Sequence, residues 1–273
     1  MYSPYRFASR IGNIGQKLPD PYRSLARQGV YFRRGNVAMA AGPPGSFKSI
    51  WALNVVSEWS GQGITTLYFS ADGDEFTVVR RLSGILTGDN ADLVESRMVS
   101  HDVDRYEKIL SGLRVEFEYE QFDFEDIVIH VKSYEAVYGA YPDVIVLDNL
   151  IDFVSSPFAF DEMLVLIKHL DGLAKEIKSH VLLLHHSRLP DIRPNERKPR
   201  PMGQPPADHE ISGKVTQIPA LVLTMAAAAL NLNIACVKNR NGKQYRDASH
   251  YEQFSVSQNM RIREDYKHDV SVT

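Results

Sequence analysis

The chain has 273 residues, 44% of them apolar and 24% charged, with a formal net charge of −3. That is enough for one large domain or two small ones with a core that needs no staples, and the ordinary globular composition excludes collagen-like, coiled-coil and wholly disordered chains. The charge excludes a basic sheath, so contact with nucleic acid has to come from local or focused positive charge. Cys236 is the one cysteine in the sequence, which excludes an intrachain disulfide and a cysteine-based zinc site and points to a reducing compartment. MYSPYRFASR has no apolar signal core, and the longest apolar run, 219–230, is too short to span a bilayer. A soluble, cytoplasmic protein without a membrane partner is expected.

Residues 1–34 are polar and aromatic, carry Arg6, Arg10, Arg23, Arg27, Arg33 and Arg34, and are interrupted by Pro19 and Pro21. They read as an arm preceding the core. VAMAA (37–41) is a short apolar strand, and 48–60 a helix ended by Gly61 and Gly63. ITTLYFSA (64–71) reads as a strand, 75–86 as a helix ended by Gly88, LRVEFEY (113–119) as an alternating strand and 124–138 as a helix. DVIVLD (143–148) and HVLLLHH (180–186) are buried-strand runs. Between them a helix over 161–178 places Met163, Ile167, Leu170, Ala174 and Ile177 on one face. LVLTM (221–225) and NIACV (233–237) extend the sheet. The alternation predicts an α/β fold, a mostly parallel twisted sheet with helices on both faces and a C-terminal antiparallel extension. The expected division is an arm over 1–34, a core over 35–262 and a tail over 263–273. Residues 188–206 hold six prolines and five basic residues, too long a connection to be ordinary, so they form a functional or disordered loop.

GPPGSFKS (42–49) follows the first strand and opens the first helix. Gly42, Lys48 and Ser49 match the phosphate-loop template G-x-x-x-x-G-K-[ST], with Pro43, Pro44, Gly45 and Ser46 between them and Phe47 in place of the last glycine. Backbone N–H groups of such a loop and of the following helix cradle phosphate oxygens. Lys48 is then expected at the β- and γ-phosphates of ATP, and the Ser49 hydroxyl on Mg²⁺. About a hundred residues on, VIVLDN (144–149) is an apolar strand ending in Asp148, placed to hold Mg²⁺ through water. His185 and His186 are adjacent on a strand and point to opposite faces, so the pair is not a metal site and at least one is packed or solvated. Asp72, Asp74, Glu75 and Asp148 leave a nuclease-type acidic cluster open.

Five motifs in order, RRGNVAMAAGPPGSFKS, LYFSADGDEFTVVRRL (67–82), VIVLDNL, LLLHHSR (182–188) and ISGKVTQIPALVLTM followed by VKNRNGKQ (237–244), resemble the RecA-like P-loop ATPase core of DnaB-type replicative helicases, in a small stand-alone version of phage or plasmid kind. The resemblance runs from about Gly35 to Gly242. It implies ATP hydrolysis, with Asp72 in the place of the glutamate that orients the attacking water and Asp74 or Glu75 as substitutes. It implies His185 as the γ-phosphate sensor, and Lys238 and Arg240 as fingers reaching the nucleotide of the next subunit from a hairpin turned by Asn241 and Gly242. The helix opened by Lys48 carries no arginine and Arg188 lies past the sensor strand, so no cis arginine is expected at the γ-phosphate. Trans-acting fingers imply a homo-oligomer, a hexameric ring.

In such rings single-stranded or forked DNA passes inner loops, here 152–160 and 188–214. The second carries Arg188, Arg193, Arg197, Lys198, Arg200 and Lys214, and phosphate contact by such side chains is sequence-independent and salt-sensitive. Tyr2, Tyr5 and Phe7 are candidate anchors for docking the arm on a neighbour. The expected function is a DNA-binding ATPase motor of helicase type. The alternatives are a RecA-type recombination or repair ATPase forming filaments, a structure-specific DNA-processing protein, and an ATPase that regulates or loads other proteins.

Overall fold

The apolar runs become strands of one sheet in the computed structural model, which describes residues 15–71, 73–120, 122–156, 158–187 and 201–264. These strands are β1 (Val37–Gly42), β2 (Thr66–Ser70), β3 (Val115–Glu118), β4 (Val144–Asp148) and β5 (His180–His186). They are followed by β6 (Leu221–Ala228), β7 (Asn231–Asn239), β8 (Tyr251–Val256) and β9 (Ile262–Glu264). Among the described residues the order is β3-β2-β4-β5-β1-β6-β7-β8-β9. Pairing is parallel from β3 through β6 and antiparallel from β6 to β9, the expected parallel core with an antiparallel extension. Every residue of β1 and β4 is buried because helices cover both faces, which is why these strands read as unbroken apolar runs.

One face packs on Trp51, Val55 and Trp59 of α2 (Lys48–Gly61), which follows the short α1 (Arg23–Arg27). Asp74 starts α3 (Glu75–Thr87) by accepting from the Thr77 N–H at 2.6 Å, and Gly88 ends it in a left-handed conformation. The opposite face packs on Ile127 of α6 (Phe124–Tyr138) and on Met163, Ile167 and Leu170 of α7 (Phe160–Ile177). Two further helices, α4 (Ala91–Val99) and α5 (Asp104–Leu110), occupy a stretch that the sequence leaves unassigned. Each buries a single residue, Val94 and Tyr106, too few to write a 3.6-residue apolar repeat.

Both ends of the core differ from expectation. Leu18, Tyr22, Leu25, Val30 and Phe32 belong to the core rather than to an arm before it. The Trp59 indole donates to the Pro19 carbonyl at 2.8 Å, and the Asn239 amide to the Gly29 carbonyl at 3.0 Å. The Ser24 N–H and hydroxyl donate to the Glu264 carboxylate at 2.6 and 2.9 Å, and Tyr22 meets Phe254 edge-on at 4.9 Å. These contacts carry the fold through β9, past the expected boundary at 262. The anchors Tyr2, Tyr5 and Phe7 lie outside the described residues.

His180 opens β5 against the rings of Phe32 and Trp59, at 5.5 and 6.2 Å, with Nδ1 2.9 Å from the Arg33 carbonyl. Burial pushes its pKa down from 6.5 to about 4. The unfolded chain binds a proton there that the folded protein refuses. This part of the stability is therefore complete above pH 6.5 and is lost as pH falls through 4. The expected loss between pH 7 and pH 4 is about 3 kcal/mol from this group. Urea unfolding should show it, and His180→Phe should flatten that stretch of the pH profile; an unchanged profile refutes the assignment.

Candidate functional site

The chain leaves β1 through a loop that only certain backbones can follow. A Cβ on Gly42 would lie 2.5 Å from the Ser46 hydroxyl oxygen and 2.6 Å from the Met225 carbonyl of β6, so glycine is required there. Phe47 has φ 62° and ψ 19°, the left-handed conformation that explains why the template has glycine at this position. For a residue with a Cβ that conformation costs roughly 1–2 kcal/mol. The Phe47 ring packs on the core cluster of the α2 side, which offsets the cost. Phe47 gives α2 no side-chain cap, and the positive end of the helix faces the loop.

Lys48 is 6% exposed. Its Nζ donates to the carbonyls of Gly42 and Pro43 at 3.0 and 3.1 Å and lies 3.4 Å from both the Ser46 hydroxyl and His186 Nδ1. The Ser49 hydroxyl donates to Asp148 Oδ1 at 3.1 Å, and the Tyr68 hydroxyl to Asp148 Oδ2 at 2.7 Å. Burial first, then the charge of Asp148, holds the Tyr68 phenol well above the usual tyrosine range. A cleft of about 570 Å³ joins Lys48, Ser49, Tyr68, Arg81, Asp148 and His186. It opens where β1, β2, β4 and β5 end, at the carboxyl edge where ligands bind in open parallel sheets.

The structure sends the two histidines to different faces of β5. His185 is 1% exposed and shares the face of Val181 and Leu183, whereas His186 shares the face of Leu182 and Leu184, on which α2 packs. The strand period of two therefore sends His186, not His185, into the cleft. An arginine of the same chain, Arg81, lines the cleft. Asp74, Thr77, Val78 and Arg81 all line the cleft, and their i, i+3, i+4, i+7 spacing is one stripe of α3. That stripe was readable in the sequence; its direction was not. Asp72 lies outside the described residues. Asp74 is engaged as the cap of α3, and the Thr77 N–H holds its carboxyl below the usual range. Glu75 is exposed.

Lys238 and Arg240 lie away from this cleft. Lys238 Nζ donates to the carbonyls of Thr216 and Gln217 at 2.5 and 2.7 Å. The Arg240 guanidinium donates to Gln217 and Ile218 at 3.3 and 2.9 Å. Both cations thus close the C-terminal end of a 3₁₀ turn, Ser212–Gln217. Burial, then the charge of Arg240, pushes the Lys238 pKa down to about 8. Asn241 and Gly242 are not the tip of a β-hairpin. The antiparallel partner of β7 resumes only at Tyr251, and a Cβ on Gly242 would lie 2.8 Å from the Gly29 carbonyl. Gly213, at the start of the same turn, has φ 76° and lies so close to Phe160 that a Cβ would run into its ring. The connections after β4 and β5 are therefore packed together. Arg188, Arg193, Arg197, Lys198 and Arg200 lie outside the described residues, as does the side chain of Lys214.

The residues fit ATP with Mg²⁺. The loop has no space for a Cβ at Gly42, Lys48 and Arg81 line the cleft beside it, and the Ser49 hydroxyl meets the Asp148 carboxylate, the oxygen donors a hard cation takes. Among the described residues no three His, Cys, Asp or Glu side chains form a metal-binding group, and no helix is long and apolar enough to cross a membrane.

Sheet order and loop together define a P-loop protein with a RecA-like ATPase fold. Residues 4–191 match the AAA_25 family, described as an AAA domain, and the chain belongs to that family. It is 28% identical over 254 residues to the Gene 65 protein of Mycobacterium phage L5, covering 89% of this chain and 91% of that protein. It is 31% identical over 222 residues to the Gene 65 protein of Mycobacterium phage D29, covering 76% and 89%. Its fold matches a solved structure described as an ATPase domain, with a TM-score of 0.76 at 13% identity, over 96% of this chain and 95% of that one. It also matches a DnaB-like replicative helicase, TM-score 0.75 at 13% identity, over 96% of this chain and 65% of that one. The likeness to these two is one of fold.

Proposed function

We propose that the protein is an ATP-hydrolysing motor that moves on single-stranded or forked DNA as a homohexameric ring, in the host cytoplasm if it is phage-encoded. The convergence of Lys48, Ser49, Arg81, Asp148 and His186 in one cleft carries the ATPase part of this reading. Lys48 and Arg81 neutralise the β- and γ-phosphates, and His186 beside Lys48 senses the γ-phosphate. Ser49 and Asp148 would hold Mg²⁺, the aspartate through water. When bound, Mg²⁺ would neutralise phosphate charge. With Asp74 engaged as a helix cap, Asp72 is the residue assigned to orient the attacking water. Lys238 and Arg240 reach a neighbouring nucleotide on leaving the turn they close.

The DNA-binding part rests on the basic residues of the connection after β5, from Arg188 to Lys214. The test is ATP turnover with and without single-stranded DNA, together with DNA affinity across salt. Neutralising Arg193, Arg197, Lys198 and Arg200 together should flatten the salt slope by roughly one unit each. Unchanged affinity and slope refute the DNA assignment. Electron micrographs with an ATP analogue and single-stranded DNA should show closed rings; open filaments favour a RecA-type recombinase instead.

A further inference from the structure

Asp148 has a second partner that no motif calls for. Tyr68 lies on β2 and Asp148 at the end of β4, neighbouring parallel strands with Tyr68 paired to Val146 and Ser70 to Asp148. Both side chains therefore rise on the same face of the sheet. The Tyr68 ring is 1% exposed and lies against Phe117 at 5.1 Å, so it has no room to swing. From that fixed position its hydroxyl donates to Asp148 Oδ2 at 2.7 Å, while Ser49 donates to Oδ1 at 3.1 Å.

An aspartate carboxyl rotates over a broad range about χ2. A hydroxyl fixed on one oxygen removes that freedom and decides which oxygen faces the phosphate side. We propose that Tyr68 is a positioning residue of the metal–nucleotide site: it holds Asp148 by Oδ2 so that Oδ1, next to the Ser49 hydroxyl, faces the Mg²⁺ of bound ATP. The proposal rests on the ATP·Mg²⁺ reading and goes beyond it, because it makes a phenol inside the sheet a determinant of metal affinity. Groups that orient a metal-binding carboxylate from behind commonly change metal affinity or activity 10- to 100-fold when removed. The position is that of a core aromatic, and a core role alone predicts lost stability without a change in metal dependence.

The test is Tyr68→Phe, which removes one oxygen and keeps the ring. Binding of a fluorescent, non-hydrolysable ATP analogue is titrated with Mg²⁺ and repeated in EDTA. The Mg²⁺ midpoint should rise by about tenfold, with affinity in EDTA unchanged, and excess Mg²⁺ should restore turnover. In an Asp148→Asn background Tyr68→Phe should shift the midpoint no further. A midpoint equal to that of the wild type, or an equal shift with and without Asp148, overturns the proposal and leaves Tyr68 a packing residue. Should Tyr68→Phe fail to fold, Tyr68→Met carries the same two comparisons. Wild-type protein that binds the analogue tightly without any Mg²⁺ dependence overturns the metal reading beneath the proposal. A Tyr68-specific failure leaves that wild-type dependence intact, so the two are distinguishable.

Discussion

Lys48→Ala is expected to lower ATP turnover by on the order of 10²–10³ or more, the loss seen when one preplaced charge or donor is removed from a developing anion. The Lys48 ammonium sits within 3.0–3.1 Å of two loop carbonyls, on the residue that opens α2, so it meets a phosphate by exchanging those contacts within the loop. Arg81 stands across the same cleft and keeps part of the attraction for nucleotide. The variant should therefore lose turnover more than binding. Phosphate release measured beside fluorescent-nucleotide binding and a thermal melt separates the two. Normal turnover in a folded Lys48→Ala protein removes the P-loop assignment.

Arg240→Ala is the second large effect expected, on the order of 10³–10⁵ in turnover if its guanidinium meets a neighbour's γ-phosphate. Within its own chain that guanidinium caps the turn ending at Gln217 and Ile218, far along the sheet from Lys48, so it cannot serve the site of its own subunit from there. Mixing Arg240→Ala with Lys48→Ala should restore part of the activity, because some interfaces then join an intact loop to an intact finger. Arg81→Ala is the control. Arg81 shares a cleft with the Lys48 of its own chain, so mixing Arg81→Ala with Lys48→Ala leaves every site defective and restores nothing. Recovery in the Arg81 mixture, or full activity of Arg240→Ala alone, contradicts these roles.

The readable parts of the site were those encoded by neighbours in sequence. Gly42, Lys48 and Ser49 are local to one turn, and Asp148 ends an apolar run. Their joining, with Ser49 3.1 Å from Asp148, follows from two central strands ending at the same edge. What escaped needed a phase or a direction. Two adjacent histidines have to be assigned to faces, and the face is known only once β5 is set against β1. Arg81 needs the rotation of α3, and its apolar neighbours are consistent with a purely structural stripe. Tyr68 sits in the apolar run TLYFS, where a phenol reads as one more core ring. The short helices α4 and α5 and the strands β8 and β9 carry too few buried residues for a periodic signal. The core role of 18–32 was hidden because its partners are distant in sequence, Trp59 for Pro19 and, more than two hundred residues away, Asn239 for Gly29 and Glu264 for Ser24.

That last pairing has a consequence for how the chain is made. Tyr22 and Ser24 leave the ribosome early, while Phe254 and Glu264, which meet them, come some 240 residues later. At ribosomal rates of roughly 5–20 residues per second that is a wait of roughly 12–48 s. During it Tyr22 and Ser24 lack these native partners, while Pro19 and Phe32 can already meet Trp59. A nascent chain arrested before β8 can hold the complete phosphate loop and still lack the fold that shapes it. Native closure is thus a late event of synthesis, in which the final strands lock down the segment that precedes β1.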